Sequence, residues 1–350
     1  MRKPLLPILL LLFLATFLMK ACAEQKTYPF NIPDGIPSFR EPSYNKVSKA
    51  GFELGRKLFY DPILSGNNKV SCATCHVQSL AFADGKSLRT SDVSGVELGR
   101  TVPTLINIAW ADGLFWDGGV PNLEFLMQAP IEHPDEMNQN LMELEKELND
   151  HALYPMLFKE AFGTDTVAFP DVSNALSQFV RALLSFNSPY DAFIKEGPTA
   201  LNAQEKTGYD VYKKNCASCH SEGLFTDNDY HNNGIDSVYD FDTLLGMYKG
   251  RFRITLDSAD FGLYKTPTLR NIALSAPYMH DGRFATLEEV LDHYEKGVKG
   301  SNTLDARLRG KEGKNGIQFE KGEKEALLAF LKSLTDQAFV TNEAFSNPNN

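Results

Sequence analysis

Apolar residues recur at helical spacing in several stretches of the chain, and they predict a mainly helical protein. The clearest stretch is 171–187, where apolar side chains lie three and four positions apart and Asp171 is placed to cap the helix. Thr286 and Glu289 have the spacing of a capping box, and Gly297 is placed to end the helix that they begin. Further amphipathic helices are predicted at residues 47–60, 202–214 and 322–334.

Glycine, proline and asparagine mark the segments between these helices. Residues 187–201 contain Pro189, Gly197 and Pro198, and they predict a linker near the middle of the chain. The 350 residues suffice for two domains of ordinary size, which agrees with a division at this point. The pattern therefore favours a mainly α, loop-rich fold.

The chain also repeats part of its own sequence. Residues 103–124 and 267–288 align without a gap at an offset of 164 residues, with identity at 10 of 22 positions. Both copies begin with Pro-Thr-Leu and end with Leu-Glu, and Asp-Gly lies at the same place in each. An internal repeat of this kind indicates two related structural units.

Two short motifs carry candidate chemistry, CATCH at residues 72–76 and CASCH at residues 216–220. The C-x-x-C-H pattern is typical of c-type haem attachment, in which two thiols bind one porphyrin and the histidine binds its iron. The thiols are Cys72, Cys75, Cys216 and Cys219, and the histidines are His76 and His220. The motifs lie too far apart for one zinc ribbon, neither follows the strand of a thioredoxin-type site, and disulfides alone would not explain the repeated histidine. We expect two covalently bound haem c groups, one upstream of each repeat copy.

The first 23 residues predict export. Arg2 and Lys3 precede a short apolar run, which is the layout of a secretory signal rather than of a membrane span. Two interpretations remain open: cleavage after Ala23, or a lipoprotein signal that ends at residue 21 and leaves Cys22 as the lipidated first residue. Both predict a periplasmic protein, and both assign the fifth cysteine to the export segment.

The chain is acidic, and this limits its partners. Its net charge is −10, and the first 23 residues carry three cations and no anions, so their removal leaves −13. Acidity of this size argues against nucleic acid, which requires a basic face. It favours a basic protein partner through electrostatic steering.

The repeat allows the open sides of the two haem sites to be compared. On the helix that begins at Thr286, Tyr294 continues the apolar stripe, while His293 points about 100° away from it, towards the rim of the site. The repeat offset places Pro130 at the position of Tyr294, and proline has no side-chain ligand atom. We expect Tyr294 to bind the second iron and the first iron to lack such a ligand. The alternative is that Tyr294 is only a packed aromatic residue.

From about residue 33 to residue 334 the chain resembles the bacterial family of di-haem cytochrome c peroxidases and MauG. The matching stretches, in order, are LGRKLFYDPILS, SCATCH, PTLINIA, FWDGG, APIEHPDEM, NSPYDAF, CASCH, KTPTLRNIALSAPYMHDGRFATLEEVLDHY and ALLAFLKSLT. The resemblance implies two cytochrome c-like haem domains in tandem, at residues 28–190 and 200–340. It also implies that peroxide reacts at the first haem and that the second haem receives electrons from an external donor.

The resemblance also assigns roles to single residues. Trp116 matches the tryptophan that lies between the two haems of that family, and Glu136 matches its acid/base carboxylate. Their alternatives are a core indole and a solvated loop charge. Ser275 and Pro277 match residues whose backbone carbonyls bind a calcium ion, although Thr101 replaces the asparagine that completes this site in the family.

The sequence leaves three functions open. The leading hypothesis is reduction of hydrogen peroxide to water with electrons from a small cytochrome or a similar redox protein. The second is a MauG-like oxidase that acts on residues of a partner protein, which Tyr294 favours because the usual peroxidases carry methionine there. The third is a non-catalytic di-haem electron carrier. Met279 and Met247 are alternative ligands of the second iron, and family members are often homodimers.

The sequence further predicts that the first haem is open at rest. Many peroxidases of this family close that haem with a histidine, which must leave before the enzyme can work. No histidine occurs between Val77 and Val102 in this chain. We therefore expect no reductive activation.

Overall fold

The computed structural model describes residues 27–238, 249–310 and 314–349. The predicted export segment and Met247 lie outside the described residues. Within them, the helices are α1 (Lys49–Tyr60), α2 (Cys72–Cys75), α3 (Leu123–Leu126), α4 (Gln128–Glu132), α5 (Leu141–Asp150), α6 (Tyr154–Phe162), α7 (Phe169–Arg181), α8 (Pro189–Glu196), α9 (Ala203–Asn215), α10 (Phe252–Thr255), α11 (Leu287–Asp292), α12 (Glu323–Ser333) and α13 (Gln337–Val340). Strands β1 (Tyr230–His231) and β2 (Tyr264–Lys265) pair antiparallel, with Tyr230 opposite Lys265. The fold is mainly helical and rich in loops, as predicted.

Side-chain caps define where the predicted helices begin. The Ser48 hydroxyl accepts the backbone N–H of Gly51 at the start of α1. Helices α9 and α11 begin with complete capping boxes, in which Asn202 pairs with Glu205 and Thr286 pairs with Glu289. These local bonds satisfy N–H groups that have no partner inside the helix, which explains why the sequence located the helix starts closely.

Helix α7 begins earlier than predicted. It starts at Phe169, with Pro170 in the first turn, and it ends at Arg181, so residues 182–187 are not part of it. Proline favours the first turn because its fixed φ suits the helix and its missing N–H would have no partner there. Asp171 therefore lies inside the first turn, where its negative charge interacts favourably with the helix dipole, and it is not the cap.

The same helix crossing occurs twice along the chain. Helix α1 contacts α7 at Gly55, where an added Cβ would lie 2.0 Å from the carbonyl oxygen of Ala175. Helix α9 contacts α12 at Gly208, where an added Cβ would lie 1.9 Å from the carbonyl oxygen of Ala326. Each pair can approach this closely only because the glycine has no side chain. Each crossing positions the motif that follows its first helix.

Buried apolar side chains form two clusters. The first is built mainly on α1 and α7 and includes Phe52, Leu58, Phe59, Val172, Leu176 and Phe179. The second is built mainly on α9, α11 and α12 and includes Tyr212, Phe225, Leu287, Leu291, Phe330 and Leu331. The chain after α12 returns to the first cluster, where Phe339, Val340 and Phe345 pack. The predicted second domain, residues 200–340, thus includes Phe339 and Val340, which pack in the first cluster.

The predicted linker contains a helix. Ser188 and Asp191 form a capping box at the start of α8, and Tyr190 is buried in the second cluster. Asp191 also accepts two hydrogen bonds from the buried guanidinium of Arg270, at 2.9 and 2.8 Å. The linker predicted at 187–201 therefore contains a helix over residues 189–196, which tertiary contacts stabilise and which the sequence analysis did not predict.

The sequence repeat is also a repeat of backbone conformation. Asn107 and Asn271 occupy equivalent positions and have φ of 53° and 54°, in the left-handed region. The bridge between Leu114 and Val120 recurs between Tyr278 and Phe284, and the offset is again 164 residues. The two halves therefore use the same loop beside each motif. Within the described residues, none of the helices has the length and apolar character needed to cross a membrane.

Candidate functional site

The first C-x-x-C-H motif forms a single helical turn after α1. Cys72–Cys75 are helix α2, and the backbone N–H of His76 donates to the carbonyl oxygen of Cys72. The His76 Nδ1 lies 2.8 Å from the carbonyl oxygen of Phe82, so Nδ1 carries the proton and Nε2 is the atom available to a metal. Burial lowers the pKa of His76 to about 4, which keeps the ring neutral as a ligand must be.

The second motif has the same arrangement. It follows α9, and His220 Nδ1 lies 3.2 Å from the carbonyl oxygen of Phe225 and 3.1 Å from that of Pro267. Burial lowers the pKa of His220 as well. Each motif histidine is therefore oriented through a backbone carbonyl, which fixes its ring and leaves Nε2 available to a metal.

The four thiols of the two motifs are free of disulfides. Burial raises the pKa of Cys72 and of Cys216 to about 12, so both are protonated at neutral pH. Burial raises the pKa of Cys75 to about 11; Arg89 opposes the shift, while Asp84 and Glu136 add to it. Paired free thiols beside a neutral, oriented imidazole fit the attachment of a c-type haem.

A cavity of about 330 Å³ surrounds the second motif. Cys216, Cys219 and His220 line it together with Tyr294. Much of its remaining wall is apolar and includes Leu269, Ile272, Leu287, Leu291, Leu327 and Leu331. His280 also lines it, and its buried Nε2 has no hydrogen-bond partner. An apolar cavity with an orphaned polar atom, free thiols and an imidazole fits a haem whose polar groups would satisfy that atom.

Tyr294 is brought into this cavity by an unusual helical turn. Helix α11 continues as a π-helical turn over His293–Gly297, and such turns often occur at functional sites. Tyr294 lines the cavity, whereas His293 is buried beside Phe284 and its Nε2 donates to the carbonyl oxygen of Asn233, 3.0 Å away. His293 is therefore turned away from the cavity and lies in the protein interior, not at the rim that the sequence predicted.

The environment of Tyr294 opposes ionisation in the absence of a metal. Burial raises the pKa of the phenol to about 12, a hydrogen bond from the Asn233 side chain lowers it, and the neighbouring Cys219 and Cys216 thiols raise it. This places the phenol close to both thiols of the second motif. If Tyr294 were only a packed aromatic residue, its phenol oxygen would not need to lie close to the motif.

Glu136 lies close to the first motif. Its charge acts on the Cys75 thiol, and its own pKa is raised by burial, which His133 opposes and Asp135 reinforces. Its backbone N–H donates to the carbonyl oxygen of His133 at 3.0 Å, so a tight turn after α4 holds it in place. Half-burial beside the motif argues against the solvated loop charge. The equivalent of Tyr294 on this side is Pro130, in α4, which offers no ligand atom.

Trp116 lies where the two halves meet. Its indole Nε1 donates to the carbonyl oxygen of Thr101 at 3.0 Å, and its own carbonyl oxygen accepts the backbone N–H of Lys265 at 2.8 Å. It also lines the cavity around the second motif. Trp116 thus belongs to the first half by sequence and contacts the second site.

The calcium residues are only partly supported by their surroundings. Ser275 and Pro277 line the same cavity and offer two backbone carbonyls, whereas Ca²⁺ takes six to eight oxygen ligands. Thr101, in place of the family's asparagine, donates its hydroxyl proton to the carbonyl oxygen of Met279 at 2.9 Å. Among the residues with described positions, Cys219, Asp227 and His231 place three potential metal-ligand atoms within 4.8 Å of one another. Calcium at Ser275 and Pro277 stays a prediction.

The structure adds charged residues around the second thiol pair that the sequence did not single out. Arg307 donates to the carbonyl oxygen of Ser218 at 2.7 Å, inside the second motif. His231 lies between Asp227 and Asp305, with contacts of 2.9 and 2.8 Å. These residues come from separate elements, and no spacing in the sequence connects them. Only one of these contacts could be predicted from neighbouring residues: the Asp305 side chain caps the short helical turn that follows it by accepting the backbone N–H of Arg307.

Comparisons with known proteins agree with this arrangement. Residues 49–199 match the family model described as di-haem cytochrome c peroxidase. The chain is 36% identical over 310 residues to the methylamine utilization protein MauG of Methylorubrum extorquens, covering 87% of this chain and 83% of that protein. It is 32% identical over 285 residues to the cytochrome c551 peroxidase of Nitrosomonas europaea, covering 81% and 79%. A crystal structure of a MauG-like protein associated with microbial copper homeostasis matches with a TM-score of 0.82 and 34% identity, over 93% of this chain and 100% of that chain.

The chain therefore belongs to the family of di-haem cytochrome c peroxidases and MauG-like oxidases. It is an oxidoreductase of the cytochrome-c peroxidase type, and its family binds two haem groups. The family resemblance inferred from the sequence is confirmed. The comparisons do not distinguish a peroxidase from a MauG-like oxidase, so this choice depends on the residues of the site.

Proposed function

We propose that this protein reduces hydrogen peroxide to water with electrons from a small redox protein, with the first haem site peroxidatic and the second site electron-transferring. One observation carries the proposal: the two halves share one backbone frame but differ at Pro130 and Tyr294. A site without a protein ligand can admit peroxide, while a site closed by Tyr294 is suited to electron transfer. This asymmetry argues against a carrier with two equivalent closed haems.

The residues that would hold the haems follow from the two motifs. Cys72 and Cys75 would bind the first porphyrin and Cys216 and Cys219 the second. His76 and His220 would ligate the irons through Nε2, since Nδ1 of each is bonded to a backbone carbonyl. When bound, the haems supply the redox chemistry of peroxide reduction. The apolar wall around the second motif supplies core packing for a flat cofactor and keeps water away from it.

Glu136 supplies proton transfer at the first site. As a carboxylate it takes a proton from one oxygen of peroxide, and as a carboxylic acid it returns a proton to the oxygen that leaves as water. The net reaction consumes one peroxide, two electrons and two protons and yields two waters. Burial raises the pKa of Glu136 towards the working pH, which suits a group that must exchange protons in both directions.

Trp116 and the protein surface supply the path for electrons. The indole N–H of Trp116 donates to the carbonyl oxygen of Thr101, and the backbone carbonyl of Trp116 accepts from the strand residue Lys265, so the residue connects the first half to the second site from a fixed position. The net charge of −10, or −13 without the first 23 residues, favours a basic donor such as a small cytochrome.

We further propose export to the periplasm, in soluble or Cys22-anchored form, since haem attachment through C-x-x-C-H motifs occurs outside the cytoplasm.

A steady-state assay tests this function. The exported, haem-loaded protein is mixed with reduced cytochrome c and hydrogen peroxide, and cytochrome oxidation is followed. We expect saturable oxidation of two cytochromes per peroxide, without prior reduction of the enzyme, and a rate that falls as salt is added. A rate no higher than that of the enzyme-free mixture would reject the peroxidase function.

Tyr294 favours a second candidate, the MauG-like oxidase. A phenolate ligand stabilises ferric iron and lowers the potential, which disfavours reduction by a high-potential cytochrome. In this case, peroxide would be consumed without cytochrome oxidation. Mass spectrometry of a co-incubated periplasmic protein fraction would then find newly oxidised side chains that are absent when the Glu136→Gln variant replaces the native protein.

A further inference from the structure

Asn233 joins the two candidate ligands of the second haem site. Its side-chain Nδ2 donates to the sulfur of Met279, 3.2 Å away, and the same side chain is hydrogen-bonded to the phenol of Tyr294. All three residues line the cavity that contains His220. The amide has two N–H groups, so it can serve both partners at once.

The backbone of Asn233 is firmly held. His293 donates from Nε2 to its carbonyl oxygen at 3.0 Å, so the consecutive residues His293 and Tyr294 bind the backbone and the side chain of one asparagine. The neighbouring Asn232 donates to Ser301 and Thr303, at 3.2 and 2.8 Å. The amide therefore has a fixed position, and the π-helical turn is the element that brings both neighbours to it.

Met279 is held as firmly on its other side. Its carbonyl oxygen accepts the hydroxyl of Thr101 at 2.9 Å, and its backbone has φ of 73°, in the left-handed region. Its sulfur is a weak acceptor that meets the Asn233 amide, yet methionine has a flexible side chain that could otherwise turn into the cavity. Two residues with ligand atoms thus face one cavity, and a single amide contacts both.

We propose that Asn233 selects the axial ligand of the second haem, by positioning the Tyr294 oxygen and by restraining the Met279 sulfur. The proposal rests on the ligand role that the proposed function gives to Tyr294. Asn233 is a positioning residue, since it acts through these two side chains. Its loss removes one hydrogen bond from the tyrosine and one from the methionine, and each change favours methionine. A single hydrogen bond to a charged group corresponds to about a tenfold change in an equilibrium, so we expect the ratio of tyrosine-ligated to methionine-ligated haem to fall at least about tenfold.

Variants of the full, haem-loaded protein test the selection. The set comprises Asn233→Leu, Asn233→Asp, Tyr294→Phe, the double variant Asn233→Leu with Tyr294→Phe, and this double variant with Met279→Leu added. Asp matches the shape of Asn but has no N–H donor, so it separates donation from packing. The readouts are the iron–phenolate vibration and the near-infrared band of methionine-ligated ferric haem, measured without peroxide. Haem staining after denaturing electrophoresis checks that both haems remain attached.

We expect Tyr294→Phe to lose the phenolate vibration without gaining the methionine band, because Asn233 still holds the sulfur. The double variant should gain the methionine band, and Met279→Leu should abolish it again. Both single Asn233 variants should lose phenolate signal in favour of methionine.

Two results would overturn the proposal in different ways. An equal methionine band in Tyr294→Phe and in the double variant means that Asn233 restrains nothing, while Tyr294 remains the ligand. If the native protein shows no phenolate vibration and Tyr294→Phe leaves its spectrum unchanged, Tyr294 is not a ligand of the second haem. The first result leaves the proposed function intact, and the second does not.

Discussion

The hydroxyl of Thr101 donates a hydrogen bond to the carbonyl oxygen of Met279, 2.9 Å away, and so connects the first half of the chain to the wall of the second site. The backbone N–H of Thr101 donates to the carbonyl oxygen of His280 at 2.9 Å, and its own carbonyl oxygen accepts the indole N–H of Trp116 at 3.0 Å. One residue thus fixes the candidate electron path and the backbone of a candidate ligand. The direct contact occupies the place where the family resemblance implies a calcium ligand.

Replacing Thr101 by valine should loosen this connection. The variant keeps the shape of the side chain but leaves the Met279 carbonyl without its donor, so we expect a loss of about 1 kcal/mol in the free energy of unfolding. Chemical denaturation measures it. Thr207→Val is the control, since the hydroxyl of this exposed residue bonds only to Ala203 within α9, at 3.1 Å, and its loss should change stability by less than about 0.5 kcal/mol. Equal effects of the two substitutions would contradict the bridging role of Thr101.

Glu136 should set the acid limb of peroxide turnover. The carboxylate must be ionised to accept the first proton, so activity falls as the pH drops through its pKa. Because burial raises that pKa, the fall should begin at a higher pH than for an exposed glutamate. Glu136→Gln should lower kcat by about 10²–10⁴-fold and remove this limb.

The control for Glu136 is Glu132→Gln, in α4. Glu132 is exposed and bonds to Gln128 at 2.6 Å, so its loss should leave both the rate and the pH profile unchanged. If the acid limb persists in Glu136→Gln, another group performs the proton transfer.

Trp116 should carry electrons between the two sites. Trp116→Phe removes the indole and its hydrogen bond to Thr101. We expect peroxide turnover with cytochrome c to fall at least about tenfold, which corresponds to an activation barrier that is about 1.4 kcal/mol higher. The other tryptophan, Trp110, bonds to Pro37 at 2.7 Å and serves as the matched control. Stopped-flow mixing with peroxide separates electron transfer from donor binding. Similar rates in both variants would reject the assignment.

The two glycine crossings should be equally intolerant of a side chain. A Cβ at Gly55 or Gly208 would lie 2.0 or 1.9 Å from a backbone carbonyl oxygen, which cannot move without shifting a helix. We expect Gly55→Ala and Gly208→Ala each to lose about 1–3 kcal/mol of stability, or more, by overpacking. Gly300→Ala is the control, since its nearest neighbour is a side-chain amide of Asn315 at 3.3 Å. Thermal unfolding of the haem-loaded proteins checks the three variants.

Features that depend on local chemistry could be predicted from the sequence alone. These features are the two C-x-x-C-H motifs, the repeat at an offset of 164 residues and the capping boxes at Asn202 and Thr286. The motifs and the capping boxes can be recognised in the sequence because the residues that define each lie within a few positions of one another, and the repeat because its two copies align without a gap. The family and the mainly helical fold followed from them. The start at Phe169 was missed because Asp171 was taken as the cap, and the helix after Ser188 was missed because Pro189 was taken as a linker residue. Pro170 and Pro189 each lie in the first turn of a helix, where proline is favoured.

Which distant residues meet depends on how the helices and loops pack. Asn233 lies 61 positions from Tyr294 and 46 from Met279, and no spacing predicts that one amide contacts both. The return of Phe339 and Phe345 to the first cluster, and the bond from Thr101 to Met279, likewise arise from packing between elements remote in sequence. The sequence specified the groups that can bind haem, whereas burial and long-range hydrogen bonds decide their charge, their orientation and the ligand that each iron can reach.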